Sequence, residues 1–354
     1  MMSRMEIEAD CVRIRLVSGL YRLYYWMLDQ AMKKIAFLSV LLLICFSSCA
    51  IDGIDSGVAF TTPAGQVLVS FSVASDMRDY TGCSADYFRG VCETLAKGGP
   101  GQFMVSAGDI DPPSGVYSAI LTFLKPGYTW YPVVGNHEAE TAADMEWLRD
   151  FNKNGTDLPN ILRPGPSGCE ETTYSFDYGN THFVVLNEYY DGSSDHATDG
   201  DIPDALYDWL IHDLEAVAAA GTTPIVLVFG HEPAYPQPDQ ESGRLRHEND
   251  SLNVHSVNRD RFWDALLANG VTAYFCGHTH NYSAVKIGSG GVIVDHPSGV
   301  WQIDSGHARG TGDTGARSTF LMLYAMEDAS LWCGTYRLDR GANRYELTDF
   351  FNLR

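Results

Sequence analysis

Short apolar runs rich in β-branched and aromatic residues recur along the chain, each bounded by Gly, Pro, Asp or Asn. They predict strands at 67–74, 102–106, 130–134, 173–178, 181–187, 225–229, 271–276, 292–294, 301–303 and 320–326. Helical spacing appears between them. In 202–220, Leu206, Leu210, Leu214 and Val217 share one face; in 259–269, Phe262, Leu266 and Leu267 do so, and Gly270 supplies a stop. Strands alternating with helices define an α/β layered fold. The strand-rich C-terminal part predicts a further antiparallel portion. No internal repeat or low-complexity linker interrupts residues 66–354, which read as one domain.

The first part of the chain follows another pattern. An apolar run at 35–46 is preceded by Lys33 and Lys34 and followed by Ser47, Ser48 and Cys49. It is too short for a membrane-spanning helix, which needs roughly 20 apolar residues, but it has the order of a secretory signal. Small residues directly before Cys49 resemble the lipobox of bacterial lipoproteins, which implies a signal peptide at 32–48, lipidation at Cys49 and a protein exported to the cell envelope. Residues 1–31 fit no such role and read as an over-extended start, with Met32 as the natural beginning; residues 49–65 read as a tether.

The net charge is -21, from 24 Lys+Arg against 45 Asp+Glu. Such a surface repels polyanions and excludes nucleic-acid binding through a basic patch. Any phosphate must therefore be held by a local device such as metal ions. Of the cysteines, Cys83 and Cys92 are close enough to pair in an oxidising compartment, Cys276 reads as a buried thiol, and no CxxC pair is present.

The candidate chemistry lies just after the strands. Run 67–74 leads to Ser75-Asp76-Met77-Arg78, and 102–106 to Gly108-Asp109. Run 130–134 leads to Gly135-Asn136-His137-Glu138, 225–229 to Gly230-His231-Glu232, and 271–276 to Gly277-His278-Thr279-His280. In open α/β sheets the carboxyl ends of strands gather around ligands, so these loops are expected to converge. Asp, Asn and His form a mixed oxygen and nitrogen set suited to Mn, Fe or Zn. His278 and His280, one residue apart in an irregular turn, can serve two neighbouring ions.

This order of motifs resembles that of the calcineurin-like metallophosphoesterases over residues 67–310. YSFDYGNTHFVVLN (174–187), FGHEPAY (229–235) and GHTHNY (277–282) are similar to the purple-acid-phosphatase-like branch. The resemblance implies a four-layer αββα sandwich carrying two divalent or mixed-valence ions (Mn, Fe or Zn) at the strand ends. It implies that Asp109 bridges the ions, that Asp76 and His280 complete the first site, and that Asn136, His231 and His278 complete the second. His137 would act as general acid or stabilise charge beside the leaving oxygen. Hydroxide held by the ions would attack phosphorus in line, without a covalent phospho-enzyme. The implied partner is a small phosphorylated substrate, a phosphomonoester first; a phosphodiester or nucleotide is the alternative on the same site.

Two departures bear on the first ion. The family motif Asp-x-His is broken by Arg78, and the Tyr that offsets this loss in the purple branch is here Pro112. Asp79 or Tyr80 can fill the gap; Arg78 can grip the substrate phosphate or point to solvent. The first site is thus expected to be weak, and a non-catalytic binding lipoprotein is the rival reading. Among the remaining polar residues, His182, His196, His212, His247, His255, His296 and His307 are expected in loops or at the surface, with His307 a candidate substrate contact. Glu232 and Tyr235 are candidates to line the pocket, and 236–257 reads as a lid or recognition loop.

Overall fold

A computed structural model describes residues 59–77, 87–195, 199–295, 298–309 and 315–354. The signal segment, Cys49, Arg78, Asp79, Tyr80, Cys83, His196 and His296 lie outside the described residues.

Alternation along the strands sorts side chains into layers. In β1 (Val67–Ala74) Val69, Phe71 and Val73 face one core, and in β2 (Phe103–Ser106) Phe103 and Val105 face the same core. Trp130 and Tyr131 in β3 (Thr129–Pro132) point to opposite sides: Tyr131 stacks on Phe176 inside, while Trp130 stacks on Tyr117 of a covering helix. β1, β2 and β3 run parallel, as in Phe71 beside Phe103 and Phe103 beside Thr129. The first sheet has six strands. It continues on the other side of β1 through β11 (Thr319–Met326), β12 (Leu331–Asp339) and β13 (Arg344–Asn352), all antiparallel. The expected antiparallel portion near the C-terminus is thus β11 to β13, an extension of this sheet.

The second sheet has seven strands in the order β4-β5-β6-β7-β8-β10-β9. These are β4 (Ile161–Pro164), β5 (Tyr174–Tyr178), β6 (Thr181–Val185), β7 (Ile225–Phe229), β8 (Ala273–Cys276), β9 (Tyr282–Ile287) and β10 (Val300–Ser305). β6, β7, β8 and β10 are parallel neighbours, with antiparallel strands at both edges. The inner faces of the two sheets share one core that includes Phe71, Phe103, Phe183, Phe229, Phe275 and Leu323. Each such side chain taken out of water contributes roughly 1.5–3 kcal/mol.

Helices form the outer layers. α1 (Phe88–Gly98), α2 (Pro113–Phe123) and α4 (Ala142–Phe151) follow the first sheet's parallel strands, and α3 (Asn136–Ala139) is a single turn after β3. α5 (Asp204–Ala220) buries Leu206, Leu210, Leu214 and Val217 on the second sheet, as the spacing predicts, and ends at Gly221, whose φ of 63° only glycine adopts readily. α6 (Ser256–Ala268) buries Phe262, Trp263 and Leu266 on the same face. The architecture is the four-layer αββα sandwich expected.

Some expectations fail. Residues 292–294 are not a strand: Gly288, Gly290 and Gly291 favour a turn, Val292 and Ile293 are exposed, and only Ile293 bridges to Ile287. Cys92 is a free buried thiol on α1, not half of a disulfide. Phe60 packs on Phe320 and Tyr336. Among the described residues no helix is long and apolar enough to cross a membrane.

Candidate metal centre

Five loops at the carboxyl ends of β1, β2, β3, β7 and β8 meet where the two sheets face each other. Within the first sheet, Asp76 and Met77 donate their backbone N–H groups to the carbonyls of Gly108 (3.0 Å) and Asp109 (2.9 Å). Within the second, the Gly277 N–H reaches the His231 carbonyl at 2.8 Å. Bonds also cross between the sheets, two of them at the candidate ligands. The His278 N–H donates to Asp76 Oδ2 at 2.9 Å, and His231 Nδ1 donates to the Ala107 carbonyl at 2.8 Å.

The glycines permit this approach. A Cβ on Gly108, where φ is +82°, would overlap the His231 ring, and one on Gly277 would overlap Asp76 and Ser75. The expected ligands themselves take left-handed backbone: φ is 51° at Asp76, 53° at Asp109, 66° at His278 and 59° at His280. Non-glycine residues occupy that region at a cost, and such strain gathers at functional sites.

The side chains converge accordingly. Candidate ligand atoms of Asp76, Asp109 and His280 lie within 4.8 Å of one another, all three residues being buried. His280 Nε2 is 3.3 Å from Asp76 Oδ1, and His231 Nε2 is 3.3 Å from Asp109 Oδ1. The His278 ring centre is 5.1 Å from that of His231. Asn136, at the start of α3, is half-exposed as a residue, but its Oδ1 is buried. Asp76 Oδ1, Asn136 Oδ1 and His231 Nε2 find no hydrogen-bond partner among the described residues. Buried polar atoms without partners are costly; Asp76 Oδ1 and His231 Nε2, each 3.3 Å from another member of the cluster, fit metal ions there, and Asn136 directly precedes His137, whose N–H donates to Asp109 Oδ1 at 3.2 Å.

The electrostatics agree. Burial by itself would raise the Asp76 carboxyl, but the facing His280, His231 and His278 hold it well below the usual carboxylate range. Burial lowers His231, yet Asp109 and Asp76 outweigh it and push the imidazole up to about 9. The carboxylates thus hold a positive charge at this point, which a metal ion supplies as well as a proton. His278 is driven well below its ordinary value by burial and by His231 and His247, so it stays neutral with a lone pair to offer.

His137 sits at the mouth, with its side chain 23% exposed, its Nε2 3.7 Å from Asp109 Oδ2 and its Nδ1 3.5 Å from Glu140 Oε2. The structure brings together Asp76, Asp109, Asn136, His137, His231, His278 and His280; Arg78 and Cys49 lie outside the described residues.

Several residues play parts that the sequence pattern does not reveal. Glu138 is fully buried and staples two ligand loops, accepting the Ile110 N–H at 2.8 Å and the Gly135 N–H at 2.7 Å. Asp304 accepts the Thr279 hydroxyl and the Gly306 N–H, bracing the GHTH turn. His182 is not a surface residue: it is buried on β6 between Asp177 (2.6 Å) and Asp213 (2.9 Å). His307 is fully buried near His280, with ring centres 5.7 Å apart. Glu232 is likewise buried, holding Tyr189 and the Gly200 N–H, and Tyr235 packs edge-on against Trp263. The 236–257 loop is ordered against the centre. Arg244 and Arg246 donate to the carbonyls of His280 and Thr279, and His247, only half-exposed, lies 4.1 Å from His278 between ring centres. Most of these pairings join residues far apart in sequence, where no local signal marks them.

A two-sheet sandwich with Asp, Asn and His converging at its strand ends defines a metal-dependent hydrolase centre. The profile of the calcineurin-like phosphoesterases matches residues 72–282, more than half of the chain, and the protein belongs to that family. It is accordingly a metallophosphoesterase, a phosphoric ester hydrolase of a family that uses divalent metal ions. No curated protein matches the chain. Among solved structures it is similar to PhoD, at 10% identity and a TM-score of 0.49 over 82% of this chain and 73% of that one. It is also similar to GAP50, the anchor in the inner membrane complex of Plasmodium, at 13% identity and a TM-score of 0.46 over 82% and 89%. A metallophosphoesterase from Sphaerobacter thermophilus is similar at 14% identity and a TM-score of 0.35 over 77% and 88%.

Proposed function

We propose that this protein is an exported, lipid-anchored phosphoesterase that works with two metal ions and prefers phosphomonoesters. The observation that carries the reading is the buried group of Asp76, Asp109 and His280, with His231 3.3 Å from Asp109 and its ring centre 5.1 Å from that of His278, in which Asp76 Oδ1 and His231 Nε2 have no hydrogen-bond partner among the described residues. When bound, a pair of such ions makes water acidic enough to attack and offsets the charge of the phosphate. The chain's own groups do the rest. Asp109, grouped with Asp76 and His280 on one side and 3.3 Å from His231 on the other, would be shared by the two sites. Asp76 and His280 would hold the first ion; Asn136, His231 and His278 would hold the second. His137, at the open side, is placed to hold the proton that a leaving oxygen takes up.

The preference for monoesters rests on the likeness of 174–187, 229–235 and 277–282 to the purple-acid-phosphatase-like branch. Export and anchoring rest on Lys33, Lys34, the apolar run 35–46 and Cys49. The test is a chain beginning at Ala50, supplied with Mn, Fe or Zn, assayed for metal by plasma mass spectrometry and for turnover of p-nitrophenyl phosphate against its bis ester. About two ions per chain and faster turnover of the monoester are expected. Faster turnover of the bis ester would replace the monoester preference by a diesterase, and a chain that takes up no ion would overturn the metal reading.

A further inference from the structure

Glu188 follows β6 and is 1% exposed, yet it touches none of the expected phosphate chemistry. Its Oε2 accepts two consecutive backbone N–H groups, from His231 at 2.8 Å and from Glu232 at 2.7 Å. Its Oε1 lies 2.5 Å from the hydroxyl of Tyr274, on β8, which also lies 2.6 Å from the Glu232 carbonyl oxygen. One carboxylate on the second sheet thus ties the turn after β7 to its neighbour β8. Gly230 admits it, because a Cβ there would overlap both Glu188 Oε1 and the Tyr274 hydroxyl.

The bond from His231 Nδ1 to the Ala107 carbonyl fixes the plane of the ring, and the clamp on the His231 and Glu232 amides fixes the backbone that carries it. Between them only Nε2 remains, aimed into the cluster. Groups that orient a ligand in this way tune metal affinity without touching the ion.

We propose that Glu188, held by Tyr274, is a positioning residue that sets the aim of His231 and thereby the affinity of the second ion site. The inference rests on His231 being a ligand. Oxygen at this place is what matters, not charge. In Glu188→Gln the amide oxygen still accepts both N–H groups. The amide NH₂ then donates to the Tyr274 hydroxyl, which donates in turn to the Glu232 carbonyl.

The experiment compares the parent protein with Glu188→Ala, Glu188→Gln and Tyr274→Phe. It measures the affinity of each ion by competition with a chelator, and thermal unfolding of the metal-free chains. Glu188→Ala should weaken the second ion by about 10–100-fold and leave the first in place, while Glu188→Gln binds both nearly as the parent does. A Glu188→Ala chain that is less stable without metal but binds both ions with unchanged affinity would overturn the proposal, since Glu188 would then serve folding alone. So would a Glu188→Gln chain as impaired as Glu188→Ala. Should Glu188→Ala fail to fold, Tyr274→Phe decides: loss of the hydroxyl releases Oε1, and weakened binding of the second ion supports the clamp, whereas unchanged binding overturns it. A parent protein that takes up the first ion but no second would remove His231 as a ligand, and the proposal with it.

Discussion

The backbone N–H of His278 donates to Asp76 Oδ2 at 2.9 Å, joining residues 202 positions apart in the chain. Asp76 follows a strand of the first sheet and His278 one of the second, so the bond ties the two halves of the sandwich at the candidate metal centre. It leaves Asp76 Oδ1, beside His280, as the oxygen available to an ion.

Asp76→Ala removes an expected ligand and the anchor of the GHTH turn together. Affinity for the first ion should fall by at least about 100-fold, the upper end of what loss of an orienting group alone brings, with phosphatase turnover falling alongside. Metal content after dialysis checks it; a variant that keeps both ions would remove Asp76 from the site.

Gly277→Ala tests the close approach of the two sheets. The added methyl meets Asp76 Oδ2 and the Ser75 side chain, both held by hydrogen bonds, so neither can give way freely. A loss of about 1–3 kcal/mol in stability is expected, as for other overpacked sites, together with weaker metal binding. Thermal unfolding of the metal-free protein measures the first effect, and an unchanged melting temperature would show that the sheets are less closely apposed here.

His182 provides a pH signature remote from the ions. Burial by itself would lower its pKa, but hydrogen bonds to Asp177 and Asp213 outweigh this and raise it above 6.5; Asp213 also receives Arg163 and Ser175. The stabilisation it contributes is therefore complete below pH 6.5 and is lost as the pH rises through the folded-state value, a tenfold gain in proton affinity on folding being worth about 1.4 kcal/mol. The gap in stability between the parent and His182→Gln should be widest in mild acid and should close with rising pH. Denaturant unfolding at a series of pH values checks this, and a gap that does not vary with pH would exclude a charged His182.

Cys49→Ser addresses the proposed anchor. Full-length protein made in a bacterial host should fractionate with membranes, and Cys49→Ser should move it to the soluble fraction with its specific activity intact. Retention of the variant in the membrane fraction would place the attachment elsewhere.

The parts legible in the sequence were those in which a local pattern and a local chemical signal coincide. Runs such as 67–74 and 225–229 are apolar because their strands pack between layers, and the Gly, Asp, Asn or His directly after each is there because the ligands must stand at a strand end. The helices at Phe88–Gly98, Pro113–Phe123 and Ala142–Phe151 were not legible: all three are short, the first two carry Gly and Thr within their apolar spacing, and the third interrupts it with Asp144, Glu146, Arg149 and Asp150. Nor were β12 and β13, whose place is set by pairing back onto β11. Only the tertiary structure could show Glu188 clamping His231, Asp304 bracing Thr279, His182 held between Asp177 and Asp213, and His247 laid against His278. Each of those partnerships depends on the folding of separate segments against one another, because hydrogen bonds and ring contacts act over a few ångströms whatever the distance along the chain. The sequence by itself determined which side chains are available as ligands and on which strand ends they stand; the packing of two sheets decided how they are aimed.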